Sequence, residues 1–406
     1  MSTGKLQVNI FGETVGFPLE GSNITITNSK TKNIIETLVT NSSGNSDIIN
    51  LETPPEEYSM QPNSPQPYSE YTVNISKEGF EPVTIENVQI LPNTTAIQNV
   101  FMNKSEKKVT QNLVYSIPKH TLYGDFPPKI AENPVKELPV TQGFVILDKI
   151  VVPEYIVVHD GNPDDNSAPN YWIPYKDYIK NVASSEIYAT WPEECIKANI
   201  LTIISFTLNR VYTEWYRSRG KNFTVTSTTA YDQKFVYQRN VFEEISTVVD
   251  EMFSMYITKP QIEQPLFTQY CDGKNVTCPE WLSQWGSKEL AENGANYIDI
   301  LRTYYGAEIY TEYADQVAGV PISFPGDVLQ SGSSGENVRT IQRQLNSISN
   351  NYPAINKIAV DGIYKQNTID AVKKFQEIFS LPQTGSVDYA TWYEISKVYA
   401  AVMRLA

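Results

Sequence analysis

One carboxylate, Glu186, lies just before a strongly predicted helix, in the stretch N-V-A-S-S-E-I-Y-A-T-W-P-E-E-C. Ser185 and Ile187 flank it, and Tyr188 and Trp191 follow closely. A carboxylic acid among such neighbours is partly desolvated, so it can hold a proton near neutral pH. We predict that Glu186 is a general acid; the alternative is an ordinary solvated loop glutamate.

The helix that must position Glu186 is predicted over residues 193–217. Thr190 and Glu193 are spaced as a capping box, and Pro192 suits the first turn. Apolar residues then recur at helical spacing: Ile196, Ile200, Ile204, Leu208, Val211 and Trp215. The helix is therefore expected in the core, with Glu186 outside its start.

The cysteines and histidines indicate little metal chemistry. Cys195 lies in the predicted helix as a packed side chain, while Cys271 and Cys278 flank a short turn-rich loop that a disulfide bond could close. A zinc site needs three or four N or S ligands, and His120 and His159 are the chain's two histidines. We expect no metal and no cofactor.

Composition limits the partners. The 406 residues suffice for two to four domains, and 41% hydrophobic residues suffice for packed cores. The net charge of −14 argues against nucleic acid as a partner. We expect no membrane span, and the N-terminus lacks the layout of a signal peptide.

Pattern changes along the chain divide it into five parts, which together predict a multidomain α+β protein. Residues 1–103 alternate in short strands typical of a β-sandwich. Residues 104–150 form a weakly periodic connector, 151–319 mix helices and strands, and 320–328 form a second joint. Residues 329–406 carry two helical stripes: Val338, Ile341 and Leu345, then Thr368, Ala371, Val372 and Phe375.

Three motifs in the middle part resemble the stage II sporulation protein D family. They are V-A-S-S-E-I-Y-A-T-W-P-E-E-C-I-K-A-N, S-T-T-A-Y-D-Q, and the block L-S-Q-W-G-S-K-E-L-A that begins at Leu282. The resemblance implies that Glu186 is the catalytic acid. Some members have His and Cys metal ligands in the second motif, where this chain has Tyr231 and Asp232.

Both ends of the chain resemble known modules. Residues 1–103 are similar to transthyretin-like, carboxypeptidase-regulatory-like domains, through P-L-E-G and Y-T-V-N-I-S-K-E-G-F. The tail resembles the three-helix peptidoglycan-binding domain, through S-G-S-S-G-E-N-V-R-T-I-Q-R-Q-L-N, V-D-G-I-Y-K-Q-N-T and T-G-S-V-D-Y-A-T-W. Tyr364 and Lys365 replace the usual Phe-Gly of that pattern.

The order of these parts resembles the spore cortex-lytic enzymes of clostridia. The resemblance implies a zymogen in the cortex and coat region of the spore. A subtilisin-like germination protease would activate it by cutting near residues 149–151, and the product would cleave cortex peptidoglycan. Two alternatives remain open: a vegetative autolysin of the same chemistry, and a non-catalytic peptidoglycan-binding scaffold.

The number of carboxylates distinguishes two glycan-cleaving reactions. A hydrolase that uses water ordinarily needs two, whereas a lytic transglycosylase needs one, because the sugar's own C6 hydroxyl is the nucleophile. Glu186 alone fits the second scheme, and Asp232 would supply the partner in the first. The motifs carry further polar side chains as candidate substrate-binding residues: Tyr188, Asp232, Gln233, Ser283 and Gln284.

Overall fold

The computed structural model of the chain describes residues 2–105, 112–138 and 149–404. Its N-terminal part consists of two β-sheets. The five-stranded sheet has the order β3-β2-β5-β6-β8, and the four-stranded sheet has the order β13-β7-β1-β4. The elements are β1 (Ser2–Phe11), β2 (Asn23–Asn28), β3 (Ile34–Val39), β4 (Ile49–Thr53), α1 (Glu57–Met60), β5 (Ser69–Ser76), β6 (Val83–Ile90), β7 (Thr95–Phe101) and β8 (Leu113–Ser116).

Alternating side chains of these strands form the N-terminal core, as the period-two pattern predicts. Leu6, Val8 and Ile10 of β1 are at most 1% exposed, and Ile24 of β2 is fully buried. The fourth strand of the smaller sheet, β13 (Val241–Phe242), comes from the middle of the chain and pairs antiparallel with β7. The two parts therefore share a sheet.

The middle part packs helices and short strands around one central helix. Its elements are β9 (Val151–Val152), β10 (Tyr155–His159), β11 (Asn170–Pro174), α2 (Tyr175–Glu186), α3 (Glu193–Tyr212), a 3₁₀ turn (Arg217–Arg219), β12 (Val225–Thr226), β13, α4 (Glu243–Met252), β14 (Met255–Thr258), β15 (Tyr270–Cys271), β16 (Leu282–Ser283), α5 (Gln284–Glu292), α6 (Tyr297–Tyr305), β17 (Tyr310–Tyr313) and β18 (Gln316–Val317). The helix α3 is buried along most of its length, polar residues included. It is the core helix that the apolar spacing predicts.

Two local predictions around α3 are wrong. The helix ends at Tyr212 instead of reaching residue 217. The capping box does not form: no side chain caps the helix start, and the Thr190 hydroxyl instead bonds the Ser59 hydroxyl at 2.8 Å. Glu186 lies outside the start of α3, as expected; it ends the helix α2 and is buried, unlike the solvated loop glutamate of the alternative interpretation.

The tail contains α7 (Glu336–Ile348), α8 (Gln366–Ile378) and α9 (Tyr389–Met403). Every residue of the two predicted stripes is buried, which confirms the helical spacing. The tail is packed onto the middle part, because Lys176 of α2 bonds Glu394 of α9 at 2.7 Å and Asp250 of α4 at 2.9 Å. The joint 320–328 also contacts the tail, because the Trp392 indole N–H donates to the Ile322 carbonyl at 3.0 Å.

The connector differs most from the sequence-based interpretation. Residues 106–111 and 139–148, which the linker prediction includes, lie outside the described residues. The described remainder is packed: β8 extends a sheet beside β6, and residues 119–138 lie against the middle part. Across the described ranges, no helix has the length and apolar character needed to span a membrane.

Candidate active site

Glu186 is held at the meeting point of three segments. It is 3% exposed at the end of α2. The backbone N–H of Lys234, just after the second motif, donates to its Oε1 at 2.6 Å. Gln284 of the third motif donates from Nε2 to the Glu186 carbonyl at 2.9 Å. The three motifs therefore converge on this one residue.

Two residues beside Glu186 were not predicted from the sequence. Tyr270 is 2% exposed, and burial, followed by the neighbouring Glu186 carboxylate, raises the pKa of its hydroxyl well above the usual value. The ammonium of Lys129 lies 4.4 Å from the centre of the Tyr270 ring. Burial lowers the pKa of Lys129, and the charges of Glu186 and Asp232 oppose that shift. Neither residue lies in a motif, so no sequence signal identifies them.

Asp232 is a buried counter-ion. It is 0% exposed. Arg210 Nε donates to its Oδ1 at 2.8 Å, and the Tyr216 hydroxyl, the Thr226 N–H and the Thr226 hydroxyl donate to its Oδ2 at 2.7–2.8 Å. The carboxylate therefore accepts four hydrogen bonds from groups of the fold, and it is not exposed at the surface.

The other predicted binding residues lie at different depths. Gln233 is fully buried, and its Oε1 accepts from the Tyr178 and Thr207 hydroxyls at 3.1 and 2.9 Å. Ser283 caps α5, because its Oγ accepts from the Gly286 N–H at 3.0 Å. Gln284 therefore contacts Glu186, Tyr188 follows Glu186 by two residues, and Gln233 bonds Tyr178, which is a neighbour of the Glu186 carboxylate.

Three aromatic side chains of the middle part, Tyr188, Trp191 and Trp285, form a cluster that we call the aromatic face. The ring centroids of Trp191 and Trp285 lie 4.9 Å apart, and the centroid of Tyr188 lies 5.8 Å from that of Trp191 and 6.3 Å from that of Trp285. Each side chain is at most 6% exposed. The indole N–H of Trp191 donates to the Ser59 carbonyl at 2.9 Å, so the N-terminal part covers this face.

Residues 119–138, which we call the strap, also pack against the middle part. Glu132 forms a two-pronged ion pair with Arg210, with N···O distances of 2.6 and 3.1 Å. Backbone bonds hold the strap on both sides of this pair: the Ile130 N–H donates to the Ala230 carbonyl at 2.7 Å, and the Phe267 N–H donates to the Pro134 carbonyl at 2.8 Å. The strap is thus bound by polar contacts along its length.

His120, at the start of the strap, is buried beneath the loop that follows Glu186. Its Nδ1 accepts from the Leu122 N–H at 3.2 Å, so Nε2 carries the proton and donates to the Ile187 carbonyl at 3.3 Å. Burial and the nearby Arg239 charge hold the pKa of His120 well below its usual value. This histidine is a neutral structural contact between the strap and the site.

The cysteines and His159 have structural roles. Cys271 and Cys278 are joined by a disulfide bond, which settles the pairing that the sequence left open, and Cys195 is a buried free thiol. His159 is hydrogen-bonded within its turn, to Asn170 at 2.8 Å and to the Asn162 carbonyl at 3.1 Å. Within residues 2–105, 112–138 and 149–404, no group of three or more His, Cys, Asp or Glu residues could hold a metal ion.

Comparisons with known proteins match two segments of the chain. Residues 168–258, which include Glu186, match the family model "Stage II sporulation protein", and residues 334–395 match "Putative peptidoglycan binding domain". The two matches support a cell-wall-acting protein related to sporulation proteins, with peptidoglycan as its partner. A search of the curated proteins finds no match.

Partial likenesses to solved structures accompany these matches. The SleB N-terminal domain is 32% identical, covers 19% of this chain and 99% of that one, and has a TM-score of 0.17. The TIE protein of Bacillus anthracis is 16% identical over 25% and 17% of the two chains, with a TM-score of 0.19. The minor pilin GBS52 of Streptococcus agalactiae is 16% identical over 27% and 48%, also with a TM-score of 0.19.

Proposed function

We propose that the chain is the proform of a spore cortex-lytic enzyme, a lytic transglycosylase that cleaves the glycan strands of cortex peptidoglycan during germination. The observation that carries the proposal is the isolation of Glu186. Its carboxyl group is fixed by the Lys234 N–H, whereas the nearby Asp232 is occupied by four donors. Supporting it are the family matches over residues 168–258 and 334–395.

A single carboxyl group is sufficient for this reaction. Protonated Glu186 donates its proton to the glycosidic oxygen, and the bond from that oxygen to C1 of the muramic acid breaks. The Glu186 carboxylate then takes the proton of the same sugar's C6 hydroxyl, whose oxygen bonds to C1 and closes a 1,6-anhydro ring. The acid is regenerated with no water consumed, and no cofactor is needed.

The contacts of the N-terminal part support an inactive proform. Lys129 of the strap lies beside Tyr270 and Glu186, and Ser59 covers Trp191 of the aromatic face. A glycan strand cannot reach Glu186 from this side while both segments are bound. The strap and the N-terminal sheets must therefore leave before the enzyme can act.

The proposed activation cut near residues 149–151 is compatible with the local structure. Lys149 is exposed, whereas the Ile150 N–H and carbonyl both bond Asp315, at 2.8 Å each. Val151 and Val152 pair with β18. A subtilisin-like germination protease that cuts before Ile150 would leave these contacts in place. We place the protein in the cortex and coat region of the spore.

The test compares wild-type chain with Glu186→Gln after cleavage, on peptidoglycan from spore cortex. We expect the variant to lose on the order of 10²- to 10⁴-fold in turnover while binding is unchanged, since the amide cannot donate and recover a proton. The control is Asp160→Asn, which removes an exposed acid of the same region.

Mass spectrometry of the released fragments identifies the reaction. Ends in anhydromuramic acid, lighter by one water than hydrolytic ends, support the transglycosylase. Reducing ends would instead require a second acid acting with water. Binding without any new ends would show that the chain is a scaffold.

A further inference from the structure

Residues that precede the proposed cut cover the aromatic face on one side. Ser59 of α1 accepts the Trp191 indole N–H through its carbonyl, and its hydroxyl bonds the Thr190 hydroxyl at 2.8 Å. The proline-rich loop 61–67, together with Leu122 and Tyr123, surrounds a depression of about 160 Å³. Tyr188 and Trp285 form its other wall. Loss of the N-terminal part would therefore uncover the rings.

Two short segments connect the aromatic face to the candidate acid. Tyr188 follows Glu186 by two residues in the turn after α2, and Trp285 follows Gln284, whose side chain bonds the Glu186 carbonyl. The rim of the depression also includes Lys274 and Asn275, from the loop closed by the disulfide bond.

We propose that the aromatic face is a sugar-binding subsite for one pyranose ring of a chain of N-acetylated hexosamines; this rests on the proposed function. Pyranose rings have apolar C–H faces that pack on aromatic rings, and their hydroxyl and acetamido groups bond polar atoms around them. The Trp191 indole and the Thr190 hydroxyl are such polar groups. In the proform, Ser59 occupies the position of a sugar oxygen on both of them.

A reversible lock tests this in the full-length chain. The variant Ser59→Cys with Thr190→Cys places two thiols where the hydroxyl oxygens are 2.8 Å apart, close enough for a disulfide bond. A specific protease site is introduced within residues 139–148, and Glu186→Gln is included so that binding is measured without turnover. The chain is cut after folding, with the lock either closed or reduced. Wild-type chain treated with the same reductant controls for loss of the native disulfide.

The measurement is oxidation of individual tryptophans by N-bromosuccinimide, mapped by mass spectrometry. The probe is a peptide-free glycan tetrasaccharide from peptidoglycan. In the cut and reduced chain, Trp191 and Trp285 should react, and the tetrasaccharide at ten times its Kd should slow their oxidation about tenfold. Trp172, 67% exposed, should react throughout, and Trp392, 0% exposed, should stay protected. With the lock closed, Trp191 and Trp285 should stay protected whether or not the tetrasaccharide is present.

Three results overturn the proposal: both tryptophans stay unreactive after cutting and reduction, the tetrasaccharide binds without protecting them, or the closed lock leaves its binding unchanged. Reactive Trp392 would show that the tail has unfolded; the locked and unlocked forms are then compared by tetrasaccharide binding, where equal and measurable affinity counts against the subsite. Failure of the proposed function is seen separately. In that case the wild-type cut chain releases no anhydromuramic ends, while the protection pattern persists.

Discussion

The ion pair between Glu132 and Arg210 predicts how firmly the strap is bound. The Arg210 side chain is 0% exposed and that of Glu132 is 16% exposed. Removal of one partner from a buried pair typically costs about 3–5 kcal/mol. In Glu132→Gln the amide keeps one hydrogen bond and Asp232 still neutralises Arg210, so we expect about 2–3 kcal/mol. Since 1.36 kcal/mol is tenfold, the unbound strap should become roughly 30- to 160-fold more populated.

Hydrogen exchange of the strap's own amides measures that population. The N–H groups of Ile130 and Lys136 are bonded to the middle part, and their exchange should accelerate by the same factor in Glu132→Gln. The matched control is Glu137→Gln, which changes an exposed carboxylate of the same strap. Exchange within twofold of the control would refute the reasoning, because the pair would then contribute nothing to strap binding.

Three further predictions concern buried charges. Asp232→Asn should destabilise the fold by about 3–5 kcal/mol in urea unfolding, because Arg210 loses a buried partner, and an effect as small as that of exposed Asp160→Asn would contradict the structural role. Glu394→Gln should lower the unfolding midpoints of middle part and tail together, and separate transitions in both proteins would show that the two parts unfold independently. Burial raises the pKa of Glu244 to about 7. The protonated side chain therefore contributes to the free energy of unfolding below pH 4.5, and this contribution is lost as the pH rises through about 7. Glu244→Gln should remove this pH dependence of the free energy of unfolding, and Glu243→Gln should not.

Local periodicity predicts the elements that need only near neighbours. The start of α3 at Glu193 and the buried positions Ile196, Ile200 and Ile204 follow from helical spacing. The stripes of the tail are recovered for the same reason. The first motif identifies Glu186 as the candidate acid, and in the structure Glu186 contacts the segments of the other two motifs.

Contacts distant in sequence account for what the sequence did not predict. Thr190 lacks its capping role because the hydroxyl of Ser59, 131 residues away, takes its bond. Glu132 is 78 residues from Arg210, and a weakly periodic segment gives no sign of such a partner. The burial of Asp232 likewise depends on donors from α3 and β12, so its residue type alone suggested a reactive carboxylate.

The strand β13 has a consequence for the synthesis of the protein. Val241 and Phe242 complete a sheet whose other strands are made from the first 101 residues, and Asn240 exchanges two hydrogen bonds with Gln89, at 3.2 and 2.9 Å. The N-terminal strands leave the ribosome first and provide a preformed template onto which the later segment can dock. We expect a cut chain that has lost this template to keep its fold through slow unfolding, and not to refold once it is denatured. The N-terminal part would thus also guide the folding of the middle part.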